Sequence, residues 1–215
     1  MEHMRLEVSE IFSSLQGEGP YTGRPAVFLR LSRCVPPHCP WCDTPYALGK
    51  GENMSPDQVR DRMLAFAPAF AVITGGEPFL QWGAGLALLE KKLMAAGMEI
   101  QYETSGKLPI PVDCRGIKIC SPKFIDGAWR YAEENTGRAD LFKFPAAPET
   151  EDLDRILKFV EKRDIPKEMV WIMPLGISRK TQLERMPALW DFCTARGFNL
   201  SSRLHILTFD EKRGV

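Results

Sequence analysis

Short apolar runs alternate along this chain with longer segments in which apolar positions recur every three or four residues. The first pattern predicts buried strands and the second predicts amphipathic helices. Val27-Phe28-Leu29-Arg30-Leu31 reads as a buried strand running straight into a cysteine-rich loop. Ala71-Val72-Ile73-Thr74 reads as another, ending in Gly75-Gly76-Glu77-Pro78. Further strands are predicted at 98–103, 117–120, 141–144, 169–173 and 203–207.

The intervening helices carry chemical signatures at their ends. Ser55-Pro56-Asp57-Gln58 offers an N-cap, a proline at the first helical position and a capping-box glutamine ahead of Val59, Met63 and Leu64. A helix over 86–96 stops at Gly97, and two more are expected over 151–162 and 180–196. The segment 127–138 shows no readable pattern. This βαβα alternation predicts an α/β fold, a mainly parallel sheet or partial (β/α) barrel with helices outside. Chemistry in such folds gathers at the carboxyl ends of the strands. The polar motifs follow that rule: the cysteine loop, Thr74-Gly75-Gly76-Glu77-Pro78, Glu103-Thr104-Ser105-Gly106 and Ser121-Pro122-Lys123 each follow a predicted strand. They are expected on one rim.

Composition narrows the partners. The 215 residues suit one domain, 1–215, with a substantial core. Lys plus Arg and Asp plus Glu each number 28, which gives no electrostatic footprint for nucleic acid or an anionic membrane. A small-molecule partner is expected. The opening Met-Glu-His-Met-Arg-Leu-Glu has no leader pattern, and no apolar run approaches the roughly 20 residues of a membrane span. A cytoplasmic protein is therefore expected, in a reducing compartment that disfavours disulfides. Cys114, Cys120 and Cys193 stand apart and read as buried free thiols.

The chemistry centres on Cys34, Cys39 and Cys42, too close together to staple distant parts of a fold. Their thiolates can ligate three corners of an iron-sulfur cluster and leave the fourth iron open. Two alternatives stand beside this. A structural zinc site needs a fourth ligand, and His38 reaches it only awkwardly because it adjoins Cys39. A disulfide with one spare thiol is the other. Elsewhere, Gly75-Gly76 permits close approach of backbone to a ligand. Glu103 and Lys123 are charges at strand ends, either in a mutual or surface ion pair or bound to a ligand. Arg30 sits in an apolar strand, where its guanidinium points outward or meets an anion.

Taken in order, Gln16-Gly17-Glu18-Gly19, the cysteine triad with Trp41-Cys42-Asp43-Thr44, Thr74-Gly75-Gly76-Glu77-Pro78, Glu103-Thr104-Ser105-Gly106 and Ser121-Pro122-Lys123 resemble the 7-carboxy-7-deazaguanine synthase family of radical S-adenosylmethionine enzymes. The likeness covers nearly the whole chain. It implies the radical S-adenosylmethionine type of partial barrel and conversion of 6-carboxy-5,6,7,8-tetrahydropterin to 7-carboxy-7-deazaguanine with loss of ammonia, a step toward queuosine. It also implies that Cys34, Cys39 and Cys42 bind a [4Fe–4S] cluster and that Thr44 binds Mg2+. By the same comparison Trp41, Cys42, Asp43, Gly76, Glu103, Ser121, Pro122, Lys123 and the Met173-Pro174-Leu175-Gly176 turn line the S-adenosylmethionine site. The resemblance likewise implies that Leu15, Gln16, Gly17, Glu18, Arg30 and Thr74 hold the pterin. No catalytic side chain is implied beyond the cluster and cofactor. An external electron donor of flavodoxin or ferredoxin type and a homodimer are further implications.

Three departures from the family pattern stand out. The cysteine spacing is C-x4-C-x2-C rather than C-x3-C-x2-C, through a Pro36-Pro37 insert. Met173-Pro174 replaces a frequent Gln-Pro, which removes a side-chain amide. The tail ends at Val215 instead of proline, and Val215 is expected to close the pterin pocket. Two other functions remain: a radical activating enzyme that makes a glycyl radical on a partner protein, and a zinc-stabilised binding module.

Overall fold

Near-continuous apolar strands of the kind seen at 27–31 and 71–74 are buried on both faces only when flanked by helices, and the chain folds accordingly. The computed structural model describes residues 4–212; Val215, expected at the pterin pocket, lies outside the described residues. Two compact units are present. The first contains the chain up to Ser14 and Pro25–Ala139; the second contains Leu15–Arg24 and the chain from Asp140 onward.

In the first unit, β1 (Leu6–Leu15), β2 (Pro25–Leu31), β3 (Glu52–Met54), β4 (Phe70–Gly75), β5 (Glu99–Thr104) and β6 (Ile117–Cys120) lie in the sheet order β6-β5-β4-β2-β1-β3. The β2–β4, β4–β5 and β5–β6 pairings are parallel, while β3 pairs antiparallel with β1. Arg30 stands opposite Thr74, and Thr104 opposite Cys120. Helices α1 (Pro56–Leu64) and α2 (Ala87–Ala95) accompany these strands. The predicted capping box forms in full: the Gln58 amide donates to Ser55 Oγ at 3.2 Å, and the Ser55 amide donates to Gln58 Oε1 at 2.8 Å. Leu29, Ile73, Val59, Met63, Leu89, Leu93, Ile100 and Tyr102 are fully buried.

The unreadable stretch contains half of a hairpin, β7 (Lys123–Ile125) with β8 (Ala128–Arg130). Its turn residues Asp126 and Gly127 both have positive φ, +51° and +73°, the geometry Asp-Gly favours between paired strands.

In the second unit, β9 (Leu141–Ala146), β10 (Val170–Pro174) and β11 (Asn199–Leu200) run parallel in the order β11-β10-β9. Helices α3 (Asp152–Lys162) and α4 (Arg179–Arg196) follow β9 and β10; Ser178 caps α4, and Gly197 ends it at φ +71°. The strand expected at 203–207 is instead α5 (Leu204–Phe209). A four-residue apolar run fits either period. Here Arg203 is buried and turned to Glu18, the Leu204 amide donates to Gly17 O at 2.8 Å, and the Leu207 amide closes a helical turn on Arg203 O at 3.0 Å.

Candidate active site

Strand β2 delivers the chain to the cysteine loop through a tightly fixed turn. The Ser32 amide donates to Glu7 O at 2.8 Å, and Gln81 Nε2 donates to both Glu7 O (3.1 Å) and Ser32 O (2.9 Å). Arg33 adopts a left-handed φ of +70°, which costs a non-glycine residue about 1 kcal/mol. Its amide donates to Ala47 O at 2.8 Å, and its guanidinium is forked onto the Glu7 carboxylate, which offsets that cost.

Beyond Arg33, Cys34, Cys39 and Cys42 are half-buried, and none is in a disulfide. The Cys42 amide donates to Cys39 O at 3.1 Å, closing the second half of the loop. The Lys107 ammonium donates to Val35 O (3.0 Å) and Pro37 O (2.6 Å), holding the first half. Burial pushes the Cys34 thiol up, with the Lys107 charge opposing that rise. Thr44 Oγ1 lies 3.8 Å from Cys42 Sγ and does not cap the short Pro45–Leu48 turn that follows. Asp43 and Trp41 are exposed.

Against this loop lies the end of β4. The Gly76 amide donates to Leu31 O (3.0 Å) and the Glu77 amide to Arg33 O (2.9 Å). A Cβ on Gly75 would overlap the Leu31 backbone, and one on Gly76 would overlap the Arg33 carbonyl. The double glycine thus lets two strand ends touch through their backbones. Glu77 is fully buried beneath them. Its carboxylate accepts from the Thr104 hydroxyl (2.7 Å), the Ser105 hydroxyl (2.5 Å), the Ser105 amide (3.0 Å) and the Phe79 amide (3.4 Å). Burial raises its pKa, and the bonds from Ser105 and Thr104 limit the rise.

The next two strand ends join the same edge. The Ser121 amide donates to Thr104 O at 2.8 Å, and Lys123 Nζ donates to Ser121 Oγ at 2.7 Å. Glu103 accepts from Gln101 Nε2 at 2.7 Å. The expected rim of cysteine loop, Gly75-Gly76, Thr104-Ser105 and Ser121-Pro122-Lys123 is therefore one hydrogen-bonded assembly. Arg30, beside Thr74 across the ladder, meets an anion: its Nε donates to Glu10 Oε1 at 2.6 Å, and the Tyr46 hydroxyl donates to the same oxygen at 3.0 Å.

In the second unit, Gln16-Gly17-Glu18-Gly19 is held by β9 and by the chain beyond β11. Glu18 is ion-paired to Lys143 and to Arg203, each at 2.7 Å, and the Gly19 amide donates to Ser201 Oγ at 2.7 Å. A Cβ on Gly17 would overlap the His205 ring. Gln16 is buried and its carbonyl accepts from the Gly23 amide at 2.7 Å, whereas Leu15 is exposed. In the Met173-Pro174-Leu175-Gly176 turn, Met173 and Pro174 are buried. Gln182 Nε2 donates to Pro174 O (3.1 Å) and Gly176 O (2.7 Å), and Arg203 donates to Gly176 O at 2.9 Å.

Residues 33–120, the span from the cysteine loop to the end of β6, match the Radical SAM superfamily. The 7-carboxy-7-deazaguanine synthase of Hyperthermus butylicus is 37% identical over 220 residues, covering 94% of this chain and 92% of that protein. That of Pyrobaculum aerophilum is 34% identical, with 98% and 97% covered. The chain belongs to the 7-carboxy-7-deazaguanine synthase family. The crystal structure of QueE from Escherichia coli superposes with a TM-score of 0.76 at 26% identity, covering 94% of this chain and 96% of that one. The α/β fold of radical SAM type expected from the sequence is thereby borne out.

A 7-carboxy-7-deazaguanine synthase of this superfamily uses a [4Fe–4S] cluster and S-adenosylmethionine, and the donor set here fits the cluster. Three soft thiols on one loop are free of disulfides, and the Lys107 ammonium is bound to the same loop. Among the described residues no three His, Cys, Asp or Glu side chains group around a single ion. A cluster does not ask for that, because each thiolate takes a different iron.

Sequence reasoning passed over Glu77, Lys107, Lys143, Arg203 and His205. Glu77 carried a signal, an acid directly after a double glycine. The others hold their partners across long sequence separations that no local pattern marks. The close approach at Gly76 gives a direct test. Gly76→Ala should destabilise the protein by about 2 kcal/mol, since its methyl meets backbone that cannot step aside. Gly83→Ala, at a position with open space, should be near neutral in the same urea melt.

Proposed function

We infer that this chain is a 7-carboxy-7-deazaguanine synthase that converts 6-carboxy-5,6,7,8-tetrahydropterin to 7-carboxy-7-deazaguanine and ammonia. The observation that carries the reading is the half-buried thiol triad of Cys34, Cys39 and Cys42, backed directly by the Gly75-Gly76-Glu77 turn. In this reading the three thiolates hold the [4Fe–4S] cluster and leave one iron open. When bound, the cluster and S-adenosylmethionine would supply the radical chemistry that removes hydrogen from the pterin.

The chain's own residues bind and orient. Glu77 fixes Thr104 and Ser105, so the end of β5 is held relative to the thiol loop. In this reading Trp41, Asp43, Gly76, Glu103, Ser121, Pro122 and Lys123 are the cofactor-binding residues of the first unit, and Met173-Pro174-Leu175-Gly176 is the cofactor-binding turn of the second. Thr44, whose hydroxyl is not spent on capping, offers Mg2+ a hard oxygen, with waters and substrate oxygens completing its sphere. Arg30, oriented by its Nε bond to Glu10 and standing beside Thr74 on the ladder, is the cation this reading assigns to the carboxylated pterin. Leu15, Gln16, Gly17, Glu18 and Val215 are the remaining pterin-binding residues of this reading. An electron donor of flavodoxin or ferredoxin type, a homodimer and a cytoplasmic location belong to the same reading. Among the described residues no helix is long and apolar enough to cross a membrane.

Anaerobically reconstituted, reduced protein given S-adenosylmethionine and carboxytetrahydropterin should release ammonia and build a deazapurine absorbance. A brown protein that cleaves S-adenosylmethionine but leaves the pterin unchanged would point to a radical activating enzyme. A colourless one holding only zinc would end both readings.

A further inference from the structure

Lys107 follows the Thr104-Ser105-Gly106 turn, and its side chain does not face solvent as a turn lysine usually does. It is half-buried, and its ammonium bridges Val35 O at 3.0 Å and Pro37 O at 2.6 Å, 72 and 70 residues away in sequence. Both acceptors lie between Cys34 and Cys39, in the stretch that lengthens the cysteine spacing. They are neutral carbonyls, so they solvate the ammonium without cancelling its charge. The turn that carries Lys107 is itself rigid. The Ser105 amide and hydroxyl are bound to buried Glu77, the Gly106 amide donates to Thr104 Oγ1 at 3.1 Å, and Asn135 Nδ2 donates to Gly106 O at 3.0 Å.

We propose that Lys107 is the positioning residue of the cluster loop: it fixes the Val35-Pro36-Pro37 insert and places a positive charge beside Cys34 that favours the reduced state of the cluster. The proposal rests on the cluster reading above. Reduction adds one electron and thus one negative charge, which a fixed nearby cation stabilises. Hydrogen bonding and net charge around the sulfurs are among the levers that set cluster potentials. At a partly solvated separation of several ångströms, the cation is expected to shift the reduction equilibrium about tenfold, equivalent to about 59 mV for one electron.

The test is a redox titration of anaerobically reconstituted protein, followed by electron paramagnetic resonance, with iron counted per chain. Lys107→Met removes the charge and both hydrogen bonds. Lys107→Gln keeps one donor without the charge, and Lys107→Arg keeps the charge. The neutral variants should load iron but titrate at a potential lower by the tenfold equivalent, and Lys107→Arg should return to the wild-type midpoint. If neither neutral variant loads iron while Lys107→Arg does, the fixing role is supported. A loaded neutral variant with the wild-type midpoint would overturn the proposal, as would failure of Lys107→Arg together with the neutral pair. Wild-type protein that takes up no cluster sinks the functional reading itself, whereas a normal wild-type cluster indifferent to position 107 sinks only this proposal.

Discussion

Cys39→Ser is expected to yield a folded, colourless chain whose kcat/KM falls by at least about 10⁴-fold, some 5.5 kcal/mol of lost transition-state stabilisation. The fold should survive because what Cys39 gives its loop is a backbone carbonyl, accepting from the Cys42 amide at 3.1 Å, and serine retains it. The side chain is half-buried, so the hydroxyl keeps contact with water. What changes is the ligand. Serine offers a hard oxygen that stays protonated near neutral pH, where iron in a sulfide cluster is held by soft thiolate. Iron content and visible absorbance after anaerobic reconstitution read the loss directly. Thermal melting of metal-free protein should shift by no more than a few degrees. A structural zinc site gives the opposite pattern, because its metal contributes folding free energy and the same substitution would lower the melt of the metal-bound protein. Cys114→Ser is the control. Cys114 is buried, 3.5 Å from Glu90, with its thiol pushed well up by burial and then by that carboxylate, so its replacement should leave iron content unchanged.

Features written in neighbouring residues were legible before any fold was known. The capping box at Ser55 and Gln58, the glycine stops at Gly97 and Gly197 and the polar motifs at the ends of β2, β4, β5 and β6 are local chemistry, and the structure repeats them. The Asp126-Gly127 hairpin was equally local, but its strands of three residues are too short to show a period. Tertiary partners were out of reach. Nothing near Glu77 says that Thr104 and Ser105 lie 27 and 28 positions on, and nothing near Val35 points to Lys107. Arg30 could be narrowed to solvent or an anion, and only the fold supplies Glu10. The tail misled for a related reason. Leu204-His205-Ile206-Leu207 is too short for its period to decide, and the outcome is set by Arg203, which must turn inward to reach a carboxylate 185 residues earlier. Close backbone approach at Gly75-Gly76 was anticipated, but as approach to a ligand. The structure shows that it first serves contact with the chain's own cysteine loop.

The buried charges of the second unit give the largest expected effect on stability. Glu18 meets Lys143 and Arg203 at 2.7 Å each, and the three side chains are only 15%, 5% and 8% exposed. Glu18→Gln keeps the shape but leaves two buried cations facing a neutral amide, and breaking a buried pair in this way costs about 3 to 5 kcal/mol. For a chain of this size that lowers the melting midpoint by about 10 °C. The pH dependence identifies the charge as the cause. Burial alone would raise the Glu18 pKa, but Lys143, then Arg203 and His205, outweigh it and hold the carboxyl well below its ordinary value. A carboxylate depressed in the folded state contributes stability that is fully present above its unfolded pKa, about 4.3. That contribution is lost as pH falls through the folded value. The gap between wild type and Glu18→Gln should therefore hold or widen from about pH 7 down to pH 5, as His205 charges, and narrow steadily below about 4.3. A gap that stays the same down to pH 3 would mean that Glu18 acts through packing and hydrogen bonding alone, and the charge argument for this loop would fail.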